Sequence, residues 1–380
     1  MRFVILALCL AWTATLQAQD MKASLAKIKA VGREGVGNAE AAAAWKSIVA
    51  EGTKSIPLCL TALDDASPAA ANWIRSAIET VAEKELARGG KLDAAMLEGF
   101  VKETKHSGPA RRFAYEYLTR VDPAASKRLL PTMLDDPGAE LRREAVGVKL
   151  EDADKLFKAK EKESALKAYR AALVHARERD QVQLIADRLE KLGEKIDLTQ
   201  HFGFITRWTV VGPFDNRKGI GFKSVYPPEK SLDLKATYTG KDDAKVKWVG
   251  AEASKAMGIV DLNELVGKLK GAVIYAAASV ESPAERNVEV RCGSNNAVRI
   301  WLNGKEIYFR EEYHHGMQMD QHVGAGKLKA GRNEILIKVC QNEQTEDWAQ
   351  LWSFQVRVTD HLGGAVPVTV VTERLPSAKQ

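Results

Sequence analysis

The hydrophobic period changes once along this chain, near residue 198. From Met21 to Leu198, apolar residues recur three and four positions apart in a background of Ala, Leu, Lys and Glu, which is the spacing of a buried helix face. After Asp197, apolar and polar residues alternate in short runs divided by turn-forming residues, as they do in half-buried strands. Because one segment cannot satisfy both periods, the sequence predicts a helical part followed by a β part.

The helical part contains an internal repeat. The segment LTALDDASPAAANWIRSAI (60–78) is echoed by LPTMLDDPGAELRREAV (130–146), and a weaker copy begins at Gly108. The matching arginines, 37 and 31 residues apart, are Arg75, Arg112 and Arg143. These intervals fall within the range of helical-hairpin repeats. Residues 19–150 therefore resemble HEAT repeats.

Both longer copies carry an Asp-Asp pair at the turn before a helix. The four aspartates are Asp64, Asp65, Asp135 and Asp136. We predict that they cap helices locally, because Asp accepts backbone N–H bonds at a helix start and favours the positive end of the helix dipole. A metal site is the alternative interpretation.

Within the helical part, a different repeat pattern follows over residues 151–198. ADKLFKAKEKESALKAYRAAL places apolar and small residues along one helical hairpin, and it resembles a tetratricopeptide (TPR) unit that lacks the usual Trp and Leu-Gly pair. Stacked hairpins of either kind form an α-solenoid with a concave surface. That resemblance implies a protein partner bound by the helical repeats. The alternative is that the helical part is a spacer.

The β part contains at least seven short strand patterns. They include FITRWTVVGPF, ended by its Gly-Pro, then VKWVGA, AVIYAAASVES, NVEVRCG, AVRIWLNGKEIYF, NEILIKVCQN and LWSFQVRVTD. Regular strands with turn signals predict an antiparallel β-sandwich or jelly roll over residues 199–375, before a tail at 376–380. The predicted fold class is therefore multidomain, with an α-solenoid followed by an antiparallel β-sandwich.

One hairpin and the strand that follows it resemble a known family. Asn303 and Gly304 tolerate positive φ, as a type I′ turn demands. Gly331 leads into an alternating strand whose predicted inward residues are Ile335, Ile337 and Val339. This order resembles the galactose-binding-like sandwich at the front of family-two glycoside hydrolases, over about residues 272–358. The resemblance implies a sugar-binding fold, although many such modules only brace a neighbouring domain.

Two loops of the β part have the chemistry of a sugar site, REEYHHGMQMDQH and QNEQTEDWAQLW. The apolar face of a sugar stacks on a flat ring, while its hydroxyls need oriented polar partners. The candidate ligand-binding residues are Tyr313, His314, His315, Asp320, Asn342, Asp347 and Trp348. The alternative is that the first loop merely closes a hairpin. Trp301 and Trp352 lie within strands and are interpreted as packing residues.

No catalytic motif is found in the sequence, which lacks GxSxG, HExxH and a complete GxGxxG. HVGAGKL (322–328) lacks the first Gly and the Ser/Thr of a phosphate loop, and it is interpreted as a turn-rich approach to the next strand. We therefore predict no catalytic residue, no metal ligand and no cofactor. The resemblance to galactose-binding-like folds leaves a structural Ca²⁺ under the acidic loop as an alternative.

Residues 1–18 predict a secretory signal peptide. Arg2 precedes the apolar run FVILALCLAW, and TATLQA leads to a cut after Ala18. No later run approaches the roughly 20 apolar residues that span a bilayer. The protein is therefore predicted to be secreted or periplasmic, with no membrane span.

Charge and cysteine content exclude some partners and leave one crosslink open. After cleavage the chain has 55 basic and 50 acidic residues, and lysines such as Lys158, Lys160 and Lys162 alternate with acids rather than forming the clustered basic face that nucleic-acid binding requires. Cys59 fits a buried helix face. Cys292 and Cys340 each end a predicted strand, so a disulfide between them is open in an oxidising compartment if those strands are neighbours.

These patterns predict an exported, non-catalytic binding protein. Its sandwich recognises a glycan or glycoconjugate, and its helical repeats position the sandwich or dock a protein. The first alternative is a structural cell-envelope scaffold or interaction protein that binds no sugar. The second is a glycan-active enzyme that its motifs do not identify.

Overall fold

The computed structural model describes residues 19–376, which form two compact units that divide between Gln181 and Val182. The predicted signal peptide, residues 1–18, and residues 377–380 of the predicted tail lie outside the described residues. The first unit is helical, and the second contains an antiparallel β-sandwich. The predicted order of a helical part and a β part is confirmed.

The helices that precede the β part are described from residue 19 onward. In chain order they are α1 (described over 19–29), α2 (Asn38–Ala50), α3 (Ile56–Ala62), α4 (Pro68–Ala87), α5 (Ala94–Lys102), α6 (Gly108–Val121), α7 (Ala125–Leu129), α8 (Ala139–Lys158), α9 (Lys162–Leu173), α10 (Arg179–Lys191) and α11 (Leu198–His201). Helix α4 packs on α2 and α3, α6 packs on α3 and α5, and α8 packs on α6 and α9. Each of these long helices therefore packs on helices that come shortly before it in the chain, and α8 also packs on the helix that follows it.

Local sequence determines where the long helices begin. The hydroxyl of Ser67 accepts the N–H of Ala70, and Pro68 occupies the first helical position of α4. The hydroxyl of Ser107 caps α6 in the same way, with Pro109 at the second helical position. The buried face of α4 consists of Ala70, Ile74, Ala77, Ile78, Val81 and Ala82. Their spacing of three and four places them on one side of the helix.

Each repeated arginine contacts a residue of the following repeat. The contacts are Arg75 with Phe113, Arg112 with Glu144, and Arg143 with Asp180. The guanidinium of Arg75 lies 4.7 Å from the ring centroid of its partner. The charged atoms of the other two pairs are 3.3 Å apart for Arg112 and 2.6 Å apart for Arg143. The sequence repeat therefore corresponds to a repeated contact between successive helical segments.

The first Asp-Asp pair links separate helices rather than capping the helix that follows it. Asp64 accepts the backbone N–H of Ser107 at 2.8 Å and lies 2.6 Å from Nδ1 of His106. Asp65 pairs with Lys29. The prediction of local caps is wrong here, because the next helix takes its cap from its own serine and leaves both carboxylates to reach other elements.

The second Asp-Asp pair combines a local turn with contacts to other elements. Asp136 accepts the backbone N–H of Gly138 at 2.7 Å in the turn before α8, but α8 itself has no side-chain cap, so Asp136 does not form the predicted cap of this helix. The same carboxylate receives two 2.7 Å bonds from the guanidinium of Arg111, and both side chains are buried. Asp135 lies 3.0 Å from Nδ1 of His175 instead. A local cap is therefore the wrong interpretation for Asp135.

The β-sandwich consists of two main sheets. Its strands are β1 (Arg207–Asp215), β2 (Thr237–Thr239), β3 (Lys245–Lys247), β4 (Val249–Glu252), β5 (Val260–Asp261), β6 (Ala272–Ser282), β7 (Arg286–Ser294), β8 (Ala297–Leu302), β9 (Lys305–Arg310), β10 (His322–Leu328), β11 (Gly331–Gln341), β12 (Ser353–Thr359) and β13 (Thr369–Val370). The seven-stranded sheet has the order β4-β1-β6-β11-β8-β9, with β13 beside β6, and the four-stranded sheet has the order β10-β7-β12-β5. Strands β2 and β3 form a separate pair, and every pairing is antiparallel.

The interior between the sheets is built by alternation. Ile335, Ile337 and Val339 of β11 are fully buried in it, as predicted. They share this core with Val290 and Val356 of the four-stranded sheet. Burial of Trp301 and Trp352, at 7% and 1% exposure, confirms their interpretation as packing residues.

A cover segment, residues 216–248, packs on the outer face of the seven-stranded sheet. Phe222 and Trp248 of this segment join a buried cluster with Tyr275 of β6. On the same face, Lys338 is fully buried and donates to the backbone oxygen of Ser224 at 2.7 Å and to Glu229 at 2.9 Å. A buried charge therefore fastens the cover segment to the central strand β11.

Three local predictions meet different outcomes. Asn303 and Gly304 have φ values of 53° and 78°, which confirms the turn between β8 and β9. The first strand was predicted to end at Gly212-Pro213, but it continues to Asp215 across a register shift that accommodates the proline. HVGAGKL is strand β10, paired with β7 along its whole length, so its interpretation as a turn-rich approach is wrong.

The cysteine pair cannot form a disulfide. Cys292 faces the interior between the sheets, whereas Cys340 lies in the cluster on the outer face of the seven-stranded sheet. Both cysteines are free, as is the buried Cys59. The open disulfide alternative is therefore wrong, because the two thiols lie on different faces of different sheets.

None of the helices between residues 19 and 376 combines the length and apolar character of a membrane span.

Candidate functional site

Four of the predicted ligand-binding residues lie together where the loop after β9 approaches the end of β11. We call Tyr313, His314, Asn342 and Trp348 the loop-end cluster. The ring of His314 lies 5.5 Å from the ring of Trp348 at an interplanar angle of 84°, which is an edge-to-face arrangement. The ring of Tyr313 lies 6.3 Å from the imidazole of His314.

A hydrogen-bond chain fixes the tautomer of His314. Its Nε2 bonds to Oδ1 of Asn342, and the same oxygen accepts the backbone N–H of Gln344 at 3.0 Å. Because that atom already accepts a backbone donor, it is the amide oxygen, so Nε2 of His314 carries the proton. Nδ1 of His314 is then an acceptor, and it has no partner within residues 19–376.

Tyr313 is held in place by Asn216, a residue that the sequence patterns do not single out. The amide nitrogen of the fully buried Asn216 donates to the Tyr313 hydroxyl at 3.2 Å and to the backbone oxygen of Gln341 at 3.0 Å. The Asn216 oxygen accepts the N–H of Phe222 at 3.1 Å. Burial raises the pKa of Tyr313 to about 12, so its hydroxyl stays protonated at neutral pH.

The loop that carries Trp348 is held by side chains from three other segments. Lys270 donates to the backbone oxygen of Ala349 at 2.7 Å, and burial lowers the pKa of this lysine. Asn263 donates to the backbone oxygen of Gln350 and Asn296 to that of Leu351, both at 2.8 Å. These contacts position the loop without using the indole of Trp348. The ring therefore remains available.

The outer part of the cluster is open to solvent. Trp348 is 62% exposed and Leu351 is 63% exposed. Asp347 precedes the tryptophan at the start of a 3₁₀ turn (Asp347–Ala349) and is exposed. The site therefore combines a flat apolar ring with amide and carboxylate groups on one loop.

His315 has a different set of contacts from its neighbour His314. Its Nδ1 receives a bond from Nε2 of Gln321, and its ring lies 5.8 Å from the ring of His322. His322 bonds through Nδ1 to the Tyr308 hydroxyl at 3.1 Å. Burial, aided by the nearby His315, lowers the pKa of His322 to about 4. His315 therefore belongs to a histidine pair at the start of β10 rather than to the loop-end cluster.

Asp320 is occupied by two arginines. Its Oδ1 receives Nε of Arg357 at 2.6 Å, and its Oδ2 receives Nη1 of Arg291 at 2.8 Å. Burial alone would raise the pKa of Asp320, but the bonds from these guanidinium groups lower it overall. This carboxylate fastens the loop to the four-stranded sheet. Among residues 19–376, no three His, Cys, Asp or Glu side chains come together in a metal-binding arrangement.

Sequence reasoning missed the residues that support the cluster. Asn216 follows the Gly-Pro-Phe-Asp end of β1, and its buried amide has no local signature. Lys270 and Asn296 act through bonds to the backbone of a distant loop. The one available signal was the density of Asn residues at strand ends, where polar side chains commonly bond to loop backbone.

Comparison with known proteins gives no close relative. No protein-family model matches the sequence, and no curated protein matches it. A family 35 carbohydrate-binding module from an environmental isolate is 17% identical, over 28% of this chain and 74% of its own, with a TM-score of 0.19. The PA14 sugar-binding domain of an RTX adhesin is 12% identical, over 44% and 96%, with a TM-score of 0.23.

A third structure matches over almost the whole chain. The alkylpurine DNA glycosylase AlkC of Pseudomonas fluorescens, solved with DNA containing an abasic-site analogue, is 10% identical over 94% of this chain and 97% of its own, with a TM-score of 0.22. Overlaps this weak carry no functional argument. The functional conclusion below depends on the geometry of the loop-end cluster.

Proposed function

We propose that the protein is an exported, non-catalytic carbohydrate-binding protein whose ligand lies on the loop-end cluster. The observation that carries this proposal is the exposed indole of Trp348, supported along one edge by His314. An aromatic ring fixed in orientation before binding loses little conformational freedom when a sugar face stacks on it.

The surrounding polar groups support the same ligand chemistry. Asn342 and Asp347 lie on the loop that carries the indole, and the protonated Nε2 of His314 holds the Asn342 amide in place. Sugar hydroxyls need donors and acceptors with fixed directions next to an apolar surface. The cluster offers both within one short loop and its neighbour.

The helical unit has a supporting role in this proposal. We infer a HEAT- and TPR-like solenoid, secreted or periplasmic with the rest of the chain, that positions the sandwich or docks a protein. The regular contacts of Arg75, Arg112 and Arg143 with the following repeat support stacked hairpins.

A second candidate function is a scaffold that binds protein rather than sugar. Trp348 and Leu351 are both more than 60% exposed and lie three residues apart. Exposed apolar pairs of this kind also form the centre of protein interfaces, where Trp is enriched. The same residues could therefore bind a sugar or a protein, and a binding experiment distinguishes the two functions.

The test is a glycan array probed with the full chain lacking residues 1–18. The proposal predicts saturable binding to a defined glycan, with an affinity loss of about three- to tenfold in Trp348→Ala, since one stacked ring contributes on the order of 1 kcal/mol. Phe309→Ala is the matched control, because Phe309 is an equally exposed aromatic outside the cluster. Silence across the array, with intact folding, would reject the sugar hypothesis in favour of the scaffold.

A further inference from the structure

The sandwich has a concave groove at the end of its strands opposite to the loop-end cluster. A groove of about 590 Å³ lies where β8 and β9 meet the edge strand β10. It is lined at the ends of these strands by Leu302, Lys305 and Lys327, whereas the loop-end cluster lies beyond the other ends of β9 and β11. Its volume falls within the range of small-ligand sites.

The inner wall of the groove is apolar and closely packed. Val288, Leu302 and Ile307 contribute side chains from three different strands. Gly326 of β10 allows this packing, because a Cβ atom there would lie only 2.7 Å from Cδ2 of Leu302. Ile307 is the half-buried side chain of this wall, over the buried Val288 and Leu302, and it gives the apolar face of a ring a surface to lie on.

The rim of the groove is basic. Lys305, Lys327 and Lys329 line it, and all three are exposed. Only Lys327 has an ion pair among the described residues, with the exposed Glu285 at 2.5 Å. The one acidic residue of the lining, Glu289, already receives two bonds from Arg291. The rim thus presents an uncompensated positive charge.

We propose that this groove binds a sugar that carries a tetrahedral oxyanion, a sulfate or phosphate ester. Lysine ammonium groups bind phosphate and similar oxyanions as point charges, and three of them surround this groove. The aliphatic wall takes the ring, and Lys305 and Lys329 take the ester. This site is separate from the loop-end cluster, so the inference goes beyond the proposed function and does not depend on it.

The test is calorimetric titration of the full chain lacking residues 1–18 with three probes. They are a chondroitin 4-sulfate tetrasaccharide, the same tetrasaccharide after desulfation, and mannose 6-phosphate. The desulfated probe keeps its carboxylates, so it isolates the contribution of the ester. Inorganic sulfate is titrated in parallel to measure what the ring adds.

The proposal predicts that at least one ester-bearing sugar binds about tenfold or more tightly than both the desulfated probe and inorganic sulfate. Which of the two esters binds identifies the anion. Lys305→Gln with Lys329→Gln lowers that affinity about tenfold or more, whereas Trp348→Ala leaves it unchanged. The matched control is Lys245→Gln with Lys247→Gln, two exposed lysines of β3 with the same charge change.

Four results would overturn the proposal. They are equal losses in the two lysine pairs, equal binding of the sulfated and desulfated probes together with no binding of mannose 6-phosphate, binding of inorganic sulfate as tight as that of the sugar esters, and no binding of either ester-bearing sugar. The first would mean general attraction of anions to a basic surface. Because all four lysines are exposed, neither double variant is expected to unfold the protein.

Discussion

The imidazole of His314 supports the indole of Trp348 edge-on, with ring centroids 5.5 Å apart. The histidine is itself held by Asn342 through Nε2 and by the side chain of the fully buried Asn296 through its backbone N–H at 3.2 Å. An exposed ring of this kind is normally free to change rotamer. Here its orientation is coupled to a hydrogen-bonded network that begins in the core of the sandwich.

The first prediction concerns this support. His314→Ala should weaken glycan binding about three- to tenfold while Trp348 is still present, because the indole then loses its edge contact, worth about 0.5–1.5 kcal/mol, and must be ordered on binding. The measurement is calorimetric titration with whichever glycan the array identifies. Phe309→Ala, which removes an equally exposed ring outside the cluster, is the control and should bind normally. Full affinity in His314→Ala would mean that the indole does not need the histidine.

The second prediction concerns pH and the histidine pair. The pKa of His322 is about 4 in the folded protein and near 6.5 when unfolded, because burial disfavours the charged ring. The unfolded chain therefore binds more protons between these values, and stability falls as the pH drops from about 6.5 to 4. We expect this histidine to account for a loss on the order of 2 kcal/mol.

Urea unfolding of the second unit, followed by tryptophan fluorescence at several pH values, tests this prediction. His322→Gln keeps a partner for Tyr308 but cannot titrate, so its stability should change less over the same interval. An identical pH dependence in the variant and the parent would show that other groups control the acid sensitivity.

The third prediction concerns the buried ion pair of the helical unit. Asp136→Asn should destabilise that unit by about 3 kcal/mol or more, because it leaves the guanidinium of Arg111 buried without its counter-charge. Glu83→Gln removes an exposed pair with Arg120 and should cost far less, because solvent screens both charges. Thermal unfolding of both variants provides the comparison. Similar costs for the two changes would contradict the burial argument.

The fourth prediction concerns thiols. Burial raises the pKa of Cys59 and of Cys340 to about 12, and it raises the pKa of Cys292 as well. These groups are therefore protonated and inaccessible, and the native protein should resist iodoacetamide. After unfolding without a reductant, the chain lacking residues 1–18 should take up three labels by mass spectrometry. One label in place of three would show a disulfide that the fold does not form.

The sequence predicted what depends on short-range periodicity. The Asn303-Gly304 turn and the inward set Ile335, Ile337 and Val339 follow from local backbone preference and a period of two. Longer-range relations were not predictable in this way. Asp64 was interpreted from its neighbours, but its partners lie 42 and 43 residues further along the chain.

The candidate site shows the same division. Tyr313, His314, Asn342 and Trp348 were selected by residue type, and the structure brings these four together. Asp320 and His315 come from the same loop, but arginines of the four-stranded sheet bind the former and a glutamine binds the latter. Which polar residue of a loop faces a ligand depends on strands that are distant in sequence, so composition alone could not separate them.

The most direct test of the account follows the indole of Trp348 itself. In an ¹⁵N correlation spectrum of the full chain lacking residues 1–18, the indole Nε1–H signal that disappears in Trp348→Phe identifies this residue. Addition of the glycan selected on the array should shift that signal in a saturable manner and leave the buried indoles of Trp301 and Trp352 nearly unchanged. A saturating glycan that moves other signals while the Trp348 indole stays in place would contradict the assignment of the loop-end cluster as the binding site.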